Sequence, residues 1–310
     1  MKISIIMPTY NKLSRLSLSL KSLCEQTMSK EDFQVVLVDD GSSMDVHSLY
    51  EAYASQMNIK LIRIEHLGRS VARNTAIEHA DGELIVFTDD DAICDYDFLK
   101  KHWEHHLKYK DSVLLGKRKK VFWVEESIKK LESDEGSCMK SVGNSRVRED
   151  TYEVVTRKIF HGTSKCLYDI VWICSITANM SVPKSYLMEI GKFETIYQCW
   201  GLEDIDLGYR LKQYGLDFYY DANILNYHME HSRNRKQMLD DIVRNMRLFY
   251  SKYKDPFILD YWKFFKGDIG IMELVLRTER EESLHMSIKE MIPDEKLNYF
   301  NTDFLNITID

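Results

Sequence analysis

The sequence predicts an α/β fold: a Rossmann-like, mostly parallel sheet flanked by helices, with a C-terminal helical extension. Two observations carry that expectation. Short apolar runs alternate with segments of helical apolar spacing through the first hundred residues, and residues 233–310 keep the helical spacing alone.

The elements follow in order. Ile3 to Met7 is a continuous apolar run, the mark of a strand buried on both faces. Leu13, Leu16, Leu20 and Leu23 then repeat at helical spacing. Val35 to Val38 is a second apolar run that stops at Asp39-Asp40-Gly41-Ser42. Val46, Leu49, Tyr50 and Tyr53 predict another helix, and Leu61 to Ile64 a third strand. Ser70 can cap a helix carrying Val71, Ala76 and Ile77. Leu84 to Phe87 predicts a fourth strand, ending at Thr88-Asp89-Asp90-Asp91. Ligands of such sheets bind beyond the carboxyl ends of the strands. Three of the four ends carry polar residues that a ligand could use: Thr9-Tyr10-Asn11, Asp39-Asp40 and Asp89 to Asp91.

The pattern weakens from about residue 117 to 165, read as a charged excursion with some helix. Asn179 to Val182 predicts a short strand, Pro183 to Ile190 a short helix, and Glu203 to about Gln213 a helix stopped near Gly215. Phe218 to Tyr227 predicts the last strand, ending in Tyr227-His228-Met229-Glu230-His231. In the tail, Leu239, Ile242, Val243, Met246, Phe249 and Tyr250 form one apolar face, followed by Phe257, Tyr261, Trp262, Phe264 and Phe265. The tail holds thirteen basic and fourteen acidic residues, so it has no electrostatic pull toward anionic lipid and is expected to pack on the main domain.

Composition removes several function classes. A net charge of −7 argues against general nucleic-acid binding. The local excess of six positive charges between Lys100 and Arg148, centred on Lys117-Arg118-Lys119-Lys120, reads first as a solvated face. The sharper reading is a patch for an anionic acceptor or a membrane surface. The six cysteines form no C-x-x-C pair, which speaks against zinc and redox motifs and for reduced core residues of a cytoplasmic protein. No stretch reaches the roughly 18 apolar residues of a membrane span. The expected place is therefore the cytoplasm, with at most a peripheral contact at the inner membrane face.

Three constellations carry chemistry. Asp89, Asp90 and Asp91 repel one another unless a cation or proton intervenes, and hard divalent cations take carboxylate ligands. If the chain is extended there, Asp89 and Asp91 lie on one side. Glu203, Asp204 and Asp206 open a helix, where carboxylates are favoured in any case; the same placement keeps Asp204 ionised and able to act as a base. Trp200 and Gly201 beside it offer an aromatic platform and close backbone approach for a sugar ring. His228 and His231 end the last strand and are candidate metal ligands.

These strings, in this order, resemble those of inverting family 2 glycosyltransferases. Ser4-Ile5-Ile6-Met7-Pro8-Thr9-Tyr10-Asn11 is similar to their first strand, Val38-Asp39-Asp40-Gly41-Ser42 to their second strand end, and Gly68-Arg69-Ser70-Val71-Ala72-Arg73-Asn74 to their G-x-s-x-A-R-N helix start. Phe87-Thr88-Asp89-Asp90-Asp91 is similar to their D-x-D element. Trp200-Gly201-Leu202-Glu203-Asp204-Ile205-Asp206-Leu207-Gly208-Tyr209-Arg210-Leu211 resembles their W-G-x-E-D-x-D-L-x-x-R-L block, and Tyr227 to His231 the histidine that follows. The D-x-D element is followed here by Ala92, where many relatives carry a further acid.

The resemblance implies a GT-A domain over 1–232: a nucleotide-binding half at 1–115, an excursion at 116–165 and an acceptor and catalytic half at 166–232, with 233–310 as the helical extension. It implies that Pro8, Tyr10 and Asp40 hold the base of a nucleotide sugar, with Arg73 near that wall or the diphosphate. Asp89 and Asp90 would contact the donor, and Trp200 would line the acceptor cleft. Asp91, Asp89 and His228 would hold Mn2+ or Mg2+, with His231 as the substitute for His228. Asp204 would be the catalytic base, seconded by Glu203. The implied donor is a nucleotide-diphosphate sugar, with UDP first in order. The implied acceptor is a glycan, a lipid-linked molecule or a peptide, as in polysaccharide or glycoconjugate biosynthesis.

Three other readings are weaker. An NAD-dependent dehydrogenase needs G-x-G-x-x-G after the first strand, where this chain has Pro8-Thr9-Tyr10-Asn11-Lys12. A sugar nucleotidyltransferase normally carries a glycine- and arginine-rich loop there. A non-catalytic nucleotide-sugar-binding protein would have lost Asp204 or the D-x-D element, and both remain.

Overall fold

Continuous burial of Ile3, Ile5, Ile6 and Met7 makes strand β1 (Ile3–Thr9) a central strand, as its unbroken apolar run requires. The protein is described by a computed structural model covering residues 1–133, 136–232 and 234–279. β1 runs parallel to β2 (Phe33–Asp39) on one side and β4 (Leu84–Thr88) on the other, so that Ile5 faces Val35 and Val86 across the two ladders. β3 (Ile59–Arg63) extends the parallel set beyond β2. Strand side chains alternate, and the two faces are covered separately. Helix α1 (Leu13–Cys24) packs Leu16, Leu20 and Leu23 against Ile5, Met7 and Leu37. Helix α3 (Arg69–Glu78) packs Ala72, Ala76 and Ile77 against Ile6, Val36 and Val38 on the other face. Helix α2 (Val46–Ala54) is capped by Asp45, which accepts from Ser48 N.

Beyond β4 the sheet becomes mixed. The short β5 (Ala92–Cys94) and helix α4 (Phe98–Lys108) lead to β6 (Ser112–Val121). The excursion expected from 116 or 117 therefore does not begin there. Its first residues complete β6, which pairs in parallel with the last strand along its whole length. The basic run Lys117 to Lys120 is likewise not a fully solvated face but lies half-buried in this strand. Lys117 is near Glu149 and Glu153, Arg118 is near Asp150, and Lys120 is near Glu230. Helices α5 (Glu125–Ser133) and α6 (Cys138–Gly143), strand β7 (Val147–Glu149) and helix α7 (Thr151–Phe160) complete the segment.

A 3₁₀ turn at Asp169–Cys174 precedes β8 (Asn179–Pro183) and helix α8 (Lys184–Glu189). Helix α9 (Glu203–Tyr214) and β9 (Asp217–Met229) follow. Among the described residues the sheet order is β3-β2-β1-β4-β8-β6-β9-β5, with β7 beside β6. The four parallel strands form one half; the other half is mixed, because β8 runs antiparallel to both β4 and β6.

Helices α10 (Arg235–Tyr253), α11 (Pro256–Lys266) and α12 (Ile271–Thr278) belong to the main core. The Trp172 ring meets Phe249 and Tyr261 edge-on, with centroids 5.8 and 5.4 Å apart. The part of the expected tail from 280 to 310 lies outside the described residues. Among the described residues no helix is long and apolar enough to cross a membrane.

Candidate active site

One open cleft of about 590 Å³ lies over the carboxyl ends of β1, β2 and β4. It continues past the end of β9 and the start of α9 to the flank of α10. Its lining includes every residue to which the family resemblance gives a role: Pro8, Tyr10, Asp40, Arg73, Asp89, Asp90, Asp91, Trp200, Glu203, Asp204, His228 and His231.

At one end, the Tyr10 ring stacks on His66 with centroids 4.0 Å apart. Asp40 beneath it accepts from the backbone N–H groups of Leu67 at 2.9 Å and Gly68 at 3.1 Å. It therefore holds the Leu67-Gly68 turn that opens α3. Asp39 accepts from Ser42 N and Arg63, fixing the neighbouring loop. This end offers a flat aromatic rim over a buried carboxylate.

The acidic cluster differs from the extended arrangement expected. Asp89 to Asp91 form a turn in which Ala92 N donates to Asp89 O at 3.3 Å. The turn separates the carboxylates instead of aligning them. Asp90 is drawn back toward β1, accepting from Thr9 Oγ1 at 2.8 Å and from Lys12 Nζ at 3.2 Å. Asp89 Oδ1 lies 3.7 Å from Arg73. Asp91 faces β9, with Oδ1 at 2.9 Å from His228 Nδ1 and Oδ2 at 3.3 Å from His231 Nε2. Lys12 Nζ donates to Asp91 Oδ2 at 2.7 Å.

The electrostatics follow this sorting. Burial raises the Asp90 pKa to about 6, against Lys12 and with help from the Asp91 charge. Burial also opposes ionisation of Asp91, but His228 and Lys12 outweigh it and hold the carboxyl well below the ordinary value. Burial lowers the His228 pKa despite Asp91, which favours the neutral imidazole.

Asp91, His228 and His231 place one ligand atom each within 4.8 Å of one another. A carboxylate beside two imidazoles is a donor set that fits a divalent cation, with positions left for water or phosphate oxygens. The convergent third group is His231, expected only as an alternative to His228; Asp89, expected in the set, stands on the Arg73 side.

At the other end, the backbone is bent to present α9. Gly201 and Leu202 are consecutive left-handed residues with φ of 91° and 73°. Leu202 holds a conformation that costs a non-glycine residue free energy, and its burial in the core compensates. Asn245 Nδ2 of α10 donates to Trp200 O at 3.3 Å and Gly201 O at 2.7 Å. Asp241 accepts from Trp200 N at 3.3 Å. Gly208 lets α9 press on the 3₁₀ turn, since a Cβ there would come 1.9 Å from Ser175 Oγ.

The acids that begin α9 divide by environment. Glu203 is buried, with Oε1 at 3.0 Å from Arg73 and 3.2 Å from Arg69. Burial works against its charge, but the two guanidinium groups win and lower its pKa. Asp204 accepts from its neighbour Ile205 N at 2.9 Å. Burial first, and the Glu203 charge second, raise its pKa to about 7. The helix start alone had suggested a lowered proton affinity; desolvation outweighs it. Asp206 is fully buried and bound by Tyr197, Tyr253 and Arg210, a packing role.

Sequence reasoning missed Lys12, Arg69, Arg118, Gln237 and Asp241, all on the cleft wall. Lys12 and Arg69 adjoin recognised strings and could have been read from them. Nothing in the sequence near Gln237 and Asp241 points to the cleft, because α10 arrives there only through tertiary packing.

The chain matches the family described as Glycosyl transferase family 2 over residues 4–167. It is 31% identical over 293 residues to the uncharacterized glycosyltransferase YfnE of Bacillus subtilis (strain 168), covering 86% of this chain and 74% of that protein. Of the next seven curated relatives it spans 61% or less of their length. Among solved structures it resembles S. aureus TarS 1-349 in complex with UDP-GlcNAc, with a TM-score of 0.58 at 19% identity, covering 93% of this chain and 70% of that one. It also resembles the mannosyltransferase PcManGT from Pyrobaculum calidifontis in complex with GDP-Man and Mn2+, with a TM-score of 0.58 at 17% identity, covering 81% and 63%. These likenesses show the GT-A fold.

Proposed function

The chain belongs to glycosyl transferase family 2, and we propose that it moves a sugar from a UDP-sugar to a hydroxyl of a carbohydrate-bearing acceptor, with inversion, in a reaction that needs Mn2+ or Mg2+. One observation carries this reading: a carboxylate with a pKa of about 7, Asp204, shares a cleft with the Asp91–His228–His231 group. The UDP-GlcNAc and Mn2+ complexes of its structural neighbours support the choice of donor and cation.

In this reading residues 1–115 hold the donor. Tyr10 stacks on the base and Asp40 lies beneath it, keeping the Leu67-Gly68 turn in place. Arg73, fixed between Asp89 and Glu203, borders the phosphate path. A divalent cation at Asp91, His228 and His231 would neutralise the charge that develops on the departing diphosphate. Residues 166–232 supply the acceptor side. Asp204 takes the proton of the attacking hydroxyl; a base whose pKa lies near the working pH is well matched to that task. Glu203, tied up by two arginines, acts by keeping Asp204 basic. One base with no enzyme nucleophile means direct displacement, hence inversion. Helices α10 and α11 close the acceptor side of the cleft. The six free cysteines suit a cytoplasmic site of action.

A thermal-shift panel of UDP-, GDP- and dTDP-sugars, with and without Mn2+, tests the reading, because a ligand of the native state raises stability by mass action. UDP-sugars should raise Tm with Mn2+ and much less in EDTA. No shift with any nucleotide sugar would overturn it.

A further inference from the structure

Building on the cation and donor assignments above, we infer that Lys12 is a built-in rival of the divalent cation: its ammonium competes for Asp91 and, retained by Asp90 when the cation binds, becomes a second positive group for the donor's diphosphate.

The backbone sets Lys12 at the cation site. It follows Asn11, a left-handed residue with φ of 54°. Asn11 N donates to Ser42 Oγ at 3.0 Å, and Asn11 Oδ1 accepts from Ser43 N at 2.9 Å. Lys12 O then accepts from Leu16 N at 2.9 Å, in the first turn of α1. From this fixed start the partly exposed side chain lines the cleft and reaches the acidic turn. Nζ donates to Asp91 Oδ2 at 2.7 Å and to Asp90 Oδ1 at 3.2 Å. Burial works against its charge, but Asp90 and Asp91 outweigh burial and raise its pKa.

The two carboxylates hold the ammonium on different terms. Asp90 is tied to its neighbours: Oδ2 accepts from Thr9 Oγ1 at 2.8 Å, and its carbonyl accepts from Ser19 Oγ at 2.9 Å. Asp91 is the shared one, since it also faces His228 Nδ1 at 2.9 Å and His231 Nε2 at 3.3 Å. Whichever Asp91 oxygen a dication takes, it draws on the charge that holds the ammonium, and the two positive groups repel. Lys12 therefore weakens the site for a cation alone. A nucleoside diphosphate resolves the conflict, because its oxygens can ligate the cation and accept from Lys12 together. Lysine suits this exchange: it is a compact charge on a flexible stem, and a turn of the stem changes its partner. Cation and diphosphate then bind with positive and reciprocal coupling.

Binding measurements on the full chain with Lys12→Met and Lys12→Gln test this, with Mn2+ counted by electron paramagnetic resonance and UDP by calorimetry. Without nucleotide, both variants should bind Mn2+ more tightly than the wild type, by a factor within the usual range for coupled ligands, about 5–150-fold. At saturating Mn2+ both should bind UDP about tenfold more weakly or worse, the worth of one charge-assisted hydrogen bond. Lys12→Arg, which keeps the charge, should stay nearer the wild type in both. A lysine that only braced the acidic turn would leave the cation site looser when removed. One that only neutralised the acids would leave UDP affinity at saturating Mn2+ unchanged. Mn2+ affinity unchanged or lowered in the variants, or UDP affinity unchanged, would overturn the inference. The wild type separates this from the reading beneath it. If it binds no Mn2+ even with UDP, the metal reading has failed; if it does and the variants do not respond as stated, only the role of Lys12 has.

Discussion

Glu203 and Asp204 are adjacent in the chain, yet Arg69 and Arg73 both reach Glu203 Oε1, while Asp204 Oδ1 accepts a backbone N–H. The pair therefore titrates in opposite directions: Glu203 is pulled down by guanidinium charge, and Asp204 is pushed up to about 7 by burial and by the Glu203 charge. Separating the proton affinities of neighbouring acids in this way is how a site obtains a base that works near neutral pH.

The pH dependence follows from that pair. Asp204 must be ionised to accept a proton, so kcat/KM for the free enzyme should fall as pH drops through about 7 and not through the ordinary carboxylate range. Glu203→Gln removes the negative charge that helps raise the Asp204 pKa, so the acidic limb should move to lower pH even as activity falls. A limb at unchanged pH in the folded variant would show that Glu203 does not set the base.

Metal dependence should reside in Asp91 and the two histidines. Asp91→Ala removes the carboxylate common to both imidazole contacts. Calorimetry should then find donor affinity in Mn2+ lowered to the level that the wild type shows in EDTA. Undiminished wild-type donor affinity in EDTA would contradict a metal role.

Gly208→Ala should destabilise the protein by about 1–3 kcal/mol, the usual cost of overpacking a tight contact, because the new methyl would meet Ser175 Oγ at 1.9 Å. Denaturant unfolding measures this. A neutral substitution would mean that α9 can slide away from the 3₁₀ turn.

Asn245→Ala leaves the Trp200 and Gly201 carbonyls without the amide that holds them. Loss of a buried hydrogen-bond partner costs about 1–3 kcal/mol. Because these carbonyls precede the base, kcat for transfer should fall more than donor affinity does. Deleting the tail cannot make the same point, since Met246, Phe249, Phe264 and Leu274 fill the main core and their removal should unfold the chain.

Much of this was legible in the sequence where one local signal sufficed. β1, β2 and β4 announce themselves as apolar runs because both faces are buried, and the donor-side acids fall at their ends. β6 escaped notice because its second half reads Lys117-Arg118-Lys119-Lys120. Its carboxylate partners come from positions 149–153 and 230, distant in sequence. The choice between His228 and His231 beside Asp91 was open for a related reason. It depends on the turn at Asp89 to Asp91 and on how β5 pairs with β9, which sets Ala92 opposite His228. The Asp204 pKa was misjudged because a helix start is visible in a sequence and desolvation is not.

The most direct test of the account is turnover by Asp204→Asn. The substitution keeps size and most hydrogen bonding but cannot take a proton. With Mn2+ and the UDP-sugar that gives the largest thermal shift, hydrolysis of the donor, with water as acceptor, should fall in kcat by about 10²–10⁴-fold, the usual range for a lost general base. Donor affinity by calorimetry should stay nearly constant. Near-normal kcat in the folded variant would contradict the assignment of Asp204 as the base on which the proposed mechanism rests.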